Sequence, residues 1–270
     1  MHREGPRART LARLLGAGLT GLLIALTLGM MPPSQAAAAP DATVYAQVRV
    51  PILLYHYIRQ NPYSWDWTGA QLSVTPGEFA RQMDWLAAHN YHPTTLGRVL
   101  VYLAQGIPLP DNPIILTFDD GYSDLYTAAY PVLRRYMFPA TAFVPSSYPG
   151  TPGYVTWAQL REMTRSGLLF VGAHGVTHRD LTTLALDQAT YELTRSKAEI
   201  EDQLGQPVNL FAFPNGHSTG ALQTRARNAG YAVALGTWRG ASLTVTGAYN
   251  WPRISVLGTD SLARFTTYLH

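Results

Sequence analysis

The 270-residue chain contains no cysteine. A disulfide framework is therefore excluded, and a folded domain must draw its stability from its core and from any metal it holds. A basic surplus is also lacking outside the N-terminus. Arg3, Arg7, Arg9 and Arg13, set against Glu4, account for the whole formal excess of +3, so the remainder of the chain is neutral. This excludes a nucleic-acid footprint, which needs clustered basic surface. Neither an internal repeat nor a low-complexity linker interrupts the chain after residue 45. The roughly 230 residues that remain suffice for one domain with its own core.

The uncharged run at residues 14–31 follows those four arginines, which is the layout of an export signal. Ala36, Ala37, Ala38 and Ala39 offer Ala-x-Ala cleavage options ahead of Pro40 and Asp41. The run is longer than the roughly 7–15 residues of a typical signal core and approaches the ~17–25 that span a bilayer. Residues 1–40 are thus expected to be a signal peptide or an N-terminal membrane anchor. A buried core helix fits poorly, because the run carries no polar stripe. The domain at 45–270 is expected to be secreted or extracytoplasmic, free or membrane-tethered, and monomeric.

Short apolar runs alternate with helical patterns from residue 48 onward, the signature of a parallel sheet with crossover helices. Strands are predicted at 50–57, 114–118, 140–144, 168–173, 210–213, 232–235 and 254–256. Helices are predicted at 76–89, 96–105, 125–136, 156–166, 187–204 and 220–228, with Asp187 as an N-cap and Gly205 as a stop. An α/β fold, a (β/α) barrel either regular or deformed, is the economical architecture. In such a barrel chemistry collects where strands end and loops begin.

Polar residues fall at those ends. Asp119 and Asp120 close the strand predicted at 114–118, and Gly121 turns the chain. Two adjacent carboxylates there call for a cation or a proton, although Asp and Gly are also ordinary turn residues. The next polar cluster is His174-Gly175-Val176-Thr177-His178, in which His-x-x-x-His can place two imidazoles on one metal. Two His and one carboxylate with an open position form a hydrolytic zinc arrangement that also suits iron or cobalt. The Pro214-Asn215-Gly216 turn follows a third strand, and His56 lies on the first. By themselves these read as a turn and as a core histidine.

Three motifs now carry a resemblance: Thr117-Phe118-Asp119-Asp120-Gly121, then His174-Gly175-Val176-Thr177-His178, then Phe211-Ala212-Phe213-Pro214-Asn215-Gly216. The chain resembles the polysaccharide deacetylases of the NodB-like type, carbohydrate esterase family 4, over about residues 50–256. That resemblance implies a deformed (β/α) barrel of about seven strands. It also implies Asp119 as general base, and Asp120, His174 and His178 as ligands of a divalent metal, Zn2+ first, with Co2+, Ni2+ or Fe2+ as alternatives. The usual Arg before the third motif is missing, as are the fourth motif and the C-terminal Leu-x-Leu-x-His. Leu54-Tyr55-His56 looks like the last of these moved to the front, as in the permuted subgroup acting on poly-β-1,6-N-acetylglucosamine in biofilms. His56 then becomes the general acid, and Arg253 the replacement for the missing Arg.

The implied activity is hydrolysis of N-acetyl groups on an N-acetylglucosamine-containing cell-surface polysaccharide. Tyr122, Pro214, Asn215 and Arg253 are the expected substrate-binding set, with a backbone N–H near Tyr122 stabilising the oxyanion. Tyr57, Trp65, Trp67, Tyr122, Tyr148, Tyr154 and Trp157 could stack on sugar rings, although packing is the ordinary role of most such aromatics. His56 is expected to titrate near the ordinary histidine value of about 6.5, or higher if Asp119 lies close. Peptidoglycan, chitin and acetylated xylan are alternative substrates. A catalytically inactive glycan-binding domain of the same fold is the alternative from another class.

Overall fold

The computed structural model describes residues 46–270; the leader expected at residues 1–40 lies outside them. Seven strands form the frame: β1 (Ile52–Tyr55), β2 (Pro113–Asp119), β3 (Ala140–Val144), β4 (Leu169–Ala173), β5 (Leu210–Ala212), β6 (Val233–Leu235) and β7 (Ile254–Ser255). They are all parallel, in the order β6-β5-β4-β3-β2-β1-β7. The segment leading into β7 touches both edges of this sheet. Trp251 bridges to Leu235 of β6, while Ile254 and Ser255 pair with β1. The sheet therefore curls into the deformed barrel expected from the sequence.

Side chains alternate across each strand, and this sorts the core into two parts. On β2, Ile114, Leu116 and Phe118 join a cluster shared with Phe79, Met83 and Leu86 of α1 (Pro76–Ala88) and with Leu193. Ile115 faces the other way, with Ile52, Phe143, Ala212 and Val233. Leu96, Val99 and Leu103 of α2 (Leu96–Gln105) pack into the same inner group. Burying a side chain of this size stabilises by about 1.5–3 kcal/mol. Phe143 fills the interior so fully that a Cβ on Gly172 would meet its ring at 2.4 Å. Further along the inner face of β2 come Thr117 and Asp119, so the barrel changes from apolar to polar toward the carboxyl ends of its strands.

The remaining long helices are α3 (Tyr130–Tyr136), α4 (Trp157–Arg165), α5 (Leu186–Leu204) and α6 (Gly220–Asn228). Thr75, Thr95, Thr156 and Thr219 cap α1, α2, α4 and α6 by accepting a backbone N–H, each worth about 1 kcal/mol. Three departures from expectation have local causes. The helix predicted at 125–136 opens with a wide turn, Leu125–Ala129, because Pro131 has no N–H to continue a regular ladder. Asp187 is not the N-cap of α5; Ala185 is, and Asp187 sits in the first turn, where its charge favours the helix dipole. The run predicted at 50–57 stops at Tyr55, and Tyr57–Ile58 pairs instead with Ser73–Val74. His56 lies between the two ladders.

Candidate active site

The polar residues emerge from the carboxyl ends of β1, β2, β4 and β5 and converge on one cavity of about 390 Å³. His56, Asp119, Asp120, Tyr122, His174, His178 and Asn215 line it. The backbone at these ends is bent tightly. Asp120, His178 and Asn215 all adopt left-handed conformations, with φ of 71°, 59° and 58°. Such angles are uncommon outside glycine and cluster where function demands an orientation.

Asp119 and Asp120 are neighbours with opposite partners. Both oxygens of Asp119 accept from Arg253, Oδ1 from Nη1 and Oδ2 from Nη2, each at 2.7 Å. The pair is sealed from solvent, with Asp119 3% and Arg253 0% exposed. Arg253 is fixed in turn by Nε donating to the Gly236 carbonyl at 2.8 Å. Burial would raise the Asp119 carboxyl, but Arg253 and His174 outweigh it and hold it below the usual carboxylate range. The structure thus places Arg253 behind Asp119 rather than on the cavity wall where a substrate would meet it.

Asp120 has no such clamp. Its Oδ1 lies 3.0 Å from His178 Nε2 and 3.5 Å from His174 Nε2, yet among the described residues this buried oxygen has no aligned hydrogen-bond donor. His174 Nδ1 lies 2.7 Å from the Ala212 carbonyl. A carbonyl only accepts, so Nδ1 carries the proton and, in the neutral ring, Nε2 keeps its lone pair. One ligand atom each from Asp120, His174 and His178 lie within 4.8 Å of one another. Electron-rich atoms converging like this repel unless a cation or a proton lies among them, and this donor set suits a divalent ion. Burial would raise Asp120, but His174 and His178 hold it well below its ordinary value. Burial would lower His178, but Asp120 raises it further.

His56 lines the cavity beside both carboxylates, and its titration departs from expectation. Burial pushes it below the usual histidine value and wins over the upward pull of Asp119 and Asp120. Tyr122 stacks on Tyr57 with centroids 3.7 Å apart and on Tyr154 at 5.2 Å. Arg59 covers Tyr57 at 3.4 Å. The faces of Tyr57 and Tyr122 are thus occupied, and of the two rings it is Tyr122 that lines the cavity. The ladder beside them joins Ser123 N to Gly153 O and Val155 N to Gly121 O, which leaves the Tyr122 N–H without a backbone partner among the described residues.

Of the other expected contacts, Asn215 stands exposed at the rim, whereas Pro214 is buried beneath Gly175 and does not line the cavity. Trp157 packs against the core, while Trp65 and Trp67 are 76% and 77% exposed. Sequence reasoning passed over Glu192, a buried acid of α5 that binds the loop between the two histidines. Its signal was a charge within the helix's buried stripe of Ala189, Leu193, Ser196 and Ile200.

Comparison with known proteins finds similarity to one family. The family model described as polysaccharide deacetylase matches residues 106–234. YxkH of Bacillus subtilis (strain 168), named for the same family, is 29% identical over 221 residues, covering 82% of this chain and 76% of its own. The poly-β-1,6-N-acetyl-D-glucosamine N-deacetylase of Staphylococcus aureus (strain NCTC 8325 / PS 47) is 27% identical over 181 residues, 62% of this chain. The match spans about three fifths, 61%, of that enzyme's length. Among solved structures, the Streptococcus pyogenes deacetylase PplD in complex with acetate superposes with a TM-score of 0.76 at 28% identity, covering 83% of this chain and 99% of that one.

Proposed function

Because the chain belongs to the polysaccharide deacetylases, we propose that it is a metal-dependent hydrolase removing N-acetyl groups from an N-acetylglucosamine-containing extracellular polysaccharide. Poly-β-1,6-N-acetylglucosamine is the first candidate, by similarity to the staphylococcal relative. The observation that carries the reading is the convergence of His56, Asp119, Asp120, His174 and His178 on one cavity.

Asp120, His174 and His178 would hold the divalent ion, which fits the undonated Asp120 Oδ1 and the bare His174 Nε2. When bound, such an ion acidifies water and polarises a carbonyl. Asp119 is the general base, taking the proton of the attacking water at Oδ2, the oxygen turned toward His174. Arg253 keeps that carboxylate ionised and fixes its plane, at the cost of weakening it as a base. The Tyr122 N–H stabilises the oxyanion as the carbonyl oxygen gains charge. His56 donates a proton to the departing amine, and its lowered pKa makes it a stronger acid that is less often protonated. The exposed Asn215 contacts the sugar at the rim. Residues 1–40 export the protein or tether it to a membrane.

The test is incubation of the purified protein with acetylated glucosamine oligomers of several linkages, with and without chelator, while free acetate is measured. Metal-dependent release from the β-1,6 oligomers is expected. Release that persists in chelator would remove the metal from the mechanism. No release from any oligomer would leave a glycan-binding domain.

A further inference from the structure

Between His174 and His178 the chain turns through Gly175, with φ of 77°, and the next two N–H groups meet at a single atom. Val176 N and Thr177 N donate to Glu192 Oε2 at 2.6 and 3.0 Å, and Thr177 Oγ1 donates to Oε1 at 2.6 Å. Among the described residues, every hydrogen bond to this carboxylate comes from that one loop, and no Lys or Arg pairs with it. Glu192 is 5% exposed and occupies a core position of α5. Burying a carboxylate is costly unless donors replace its water, and here three do. Gly175 leaves the room: a Cβ there would approach Oε2 to 3.0 Å.

An apolar side chain at position 192 would complete the helix stripe at lower cost, so the acid's contribution lies in the loop it organises. We propose that Glu192 is a positioning residue for the two imidazoles. It holds the His-x-x-x-His turn in the conformation that brings both Nε2 atoms to Asp120, and it thereby sets the affinity of the site for a divalent cation. The inference rests on the reading of Asp120, His174 and His178 as ligands. Its distinguishing feature is reach: Glu192 does not line the cavity, and acts only through the backbone of Val176 and Thr177 and the Thr177 hydroxyl.

Calorimetric titration of the full chain with Zn2+, well below the lowest melting temperature of the set, tests it. Glu192→Ala should raise the Kd about 10–100-fold, the usual cost of losing a group that orients ligands. Glu192→Gln keeps the shape, accepts the two N–H groups through its carbonyl and offers its NH2 to the Thr177 hydroxyl, and should recover most of the affinity. Leu193→Ala, at a neighbouring position that is 0% exposed, should lower the melting temperature and leave the Kd unchanged. An unaltered Kd in Glu192→Ala, or an equal rise in Leu193→Ala, overturns the proposal. If Glu192→Ala does not fold, Thr177→Val takes its place and must also weaken binding; an unchanged Kd there counts against Glu192 equally. Failure of the wild-type chain to bind Zn2+ would instead overturn the ligand reading beneath it.

Discussion

Asp119 and Asp120 are consecutive, chemically identical and both buried, yet the two sides of the cavity they face differ in how their charge is met. On the Asp119 side one guanidinium satisfies both oxygens at 2.7 Å. On the Asp120 side two imidazoles crowd a carboxylate whose Oδ1 has no aligned donor among the described residues. On the function proposed above, the lesson is that the fully satisfied carboxylate is the one held in place to act repeatedly, and the incompletely satisfied one is the metal ligand. Strand geometry makes the separation possible: Asp119 ends β2 on its inner face, and the left-handed Asp120 turns its side chain toward β4.

The sharpest way to break this comparison is Asp119→Asn. Turnover should fall by about 10²–10⁴-fold with the loss of proton transfer. Stability should also drop by about 3–5 kcal/mol, because Arg253 is left buried without its counter-charge. Acetate release and denaturant unfolding check the two effects separately. Activity near wild type in a folded variant would assign the base elsewhere.

His56→Ala comes next. Turnover on an amide should fall by about 10²–10⁴-fold, the contribution of a positioned proton donor, while the fold survives. An activated acetyl ester, whose leaving group needs little protonation, should be impaired far less. A melting temperature that falls in step with both activities would return His56 to a packing role.

Metal removal probes the Asp120 side alone. Zn2+ at about 100 times its Kd should stabilise the wild type by about 2.7 kcal/mol, and Asp119→Asn should gain a similar amount. Asp120→Ala, His174→Ala and His178→Ala should gain little. Thermal shift with and without chelator reads this directly, and an equal shift in all variants would refute the ligand set.

The smallest effect is on the acid side of the stability profile. Asp119 is depressed in the folded protein by Arg253 against the effect of burial, whereas an unfolded Asp titrates near about 3.9. The unfolded state therefore binds the proton first, so this contribution is complete above about pH 3.9 and is lost as the pH falls through the lower, folded value. The metal-free wild type should lose stability more steeply than Asp119→Asn below that pH. Parallel profiles would mean that the Arg253 clamp does not govern Asp119.

Much of the frame was legible because strand and helix periods, and the stops between them, are local properties. All seven strands of the barrel lie within or beside their predicted runs, and Gly205 ends α5 in a left-handed conformation. The motif residues were legible for a related reason. His174 and His178 are separated by one tight turn, and Asp119 and Asp120 by a single bond, so their spacing constrains where their side chains can meet. What stayed hidden was pairing across the fold. Arg253 stands 134 residues from Asp119 and meets it only because β7 closes on β1 beside β2. Glu192 reaches the histidine loop because α5 packs there, and the titration of His56 depends on how far burial outweighs two neighbouring charges. The amino-acid order by itself determined which groups were available and at which strand ends they emerge. Which carboxylate is clamped, which is left open, and what holds the histidine turn were decided by tertiary contacts, since desolvation and opposing charge act through space and not along the chain.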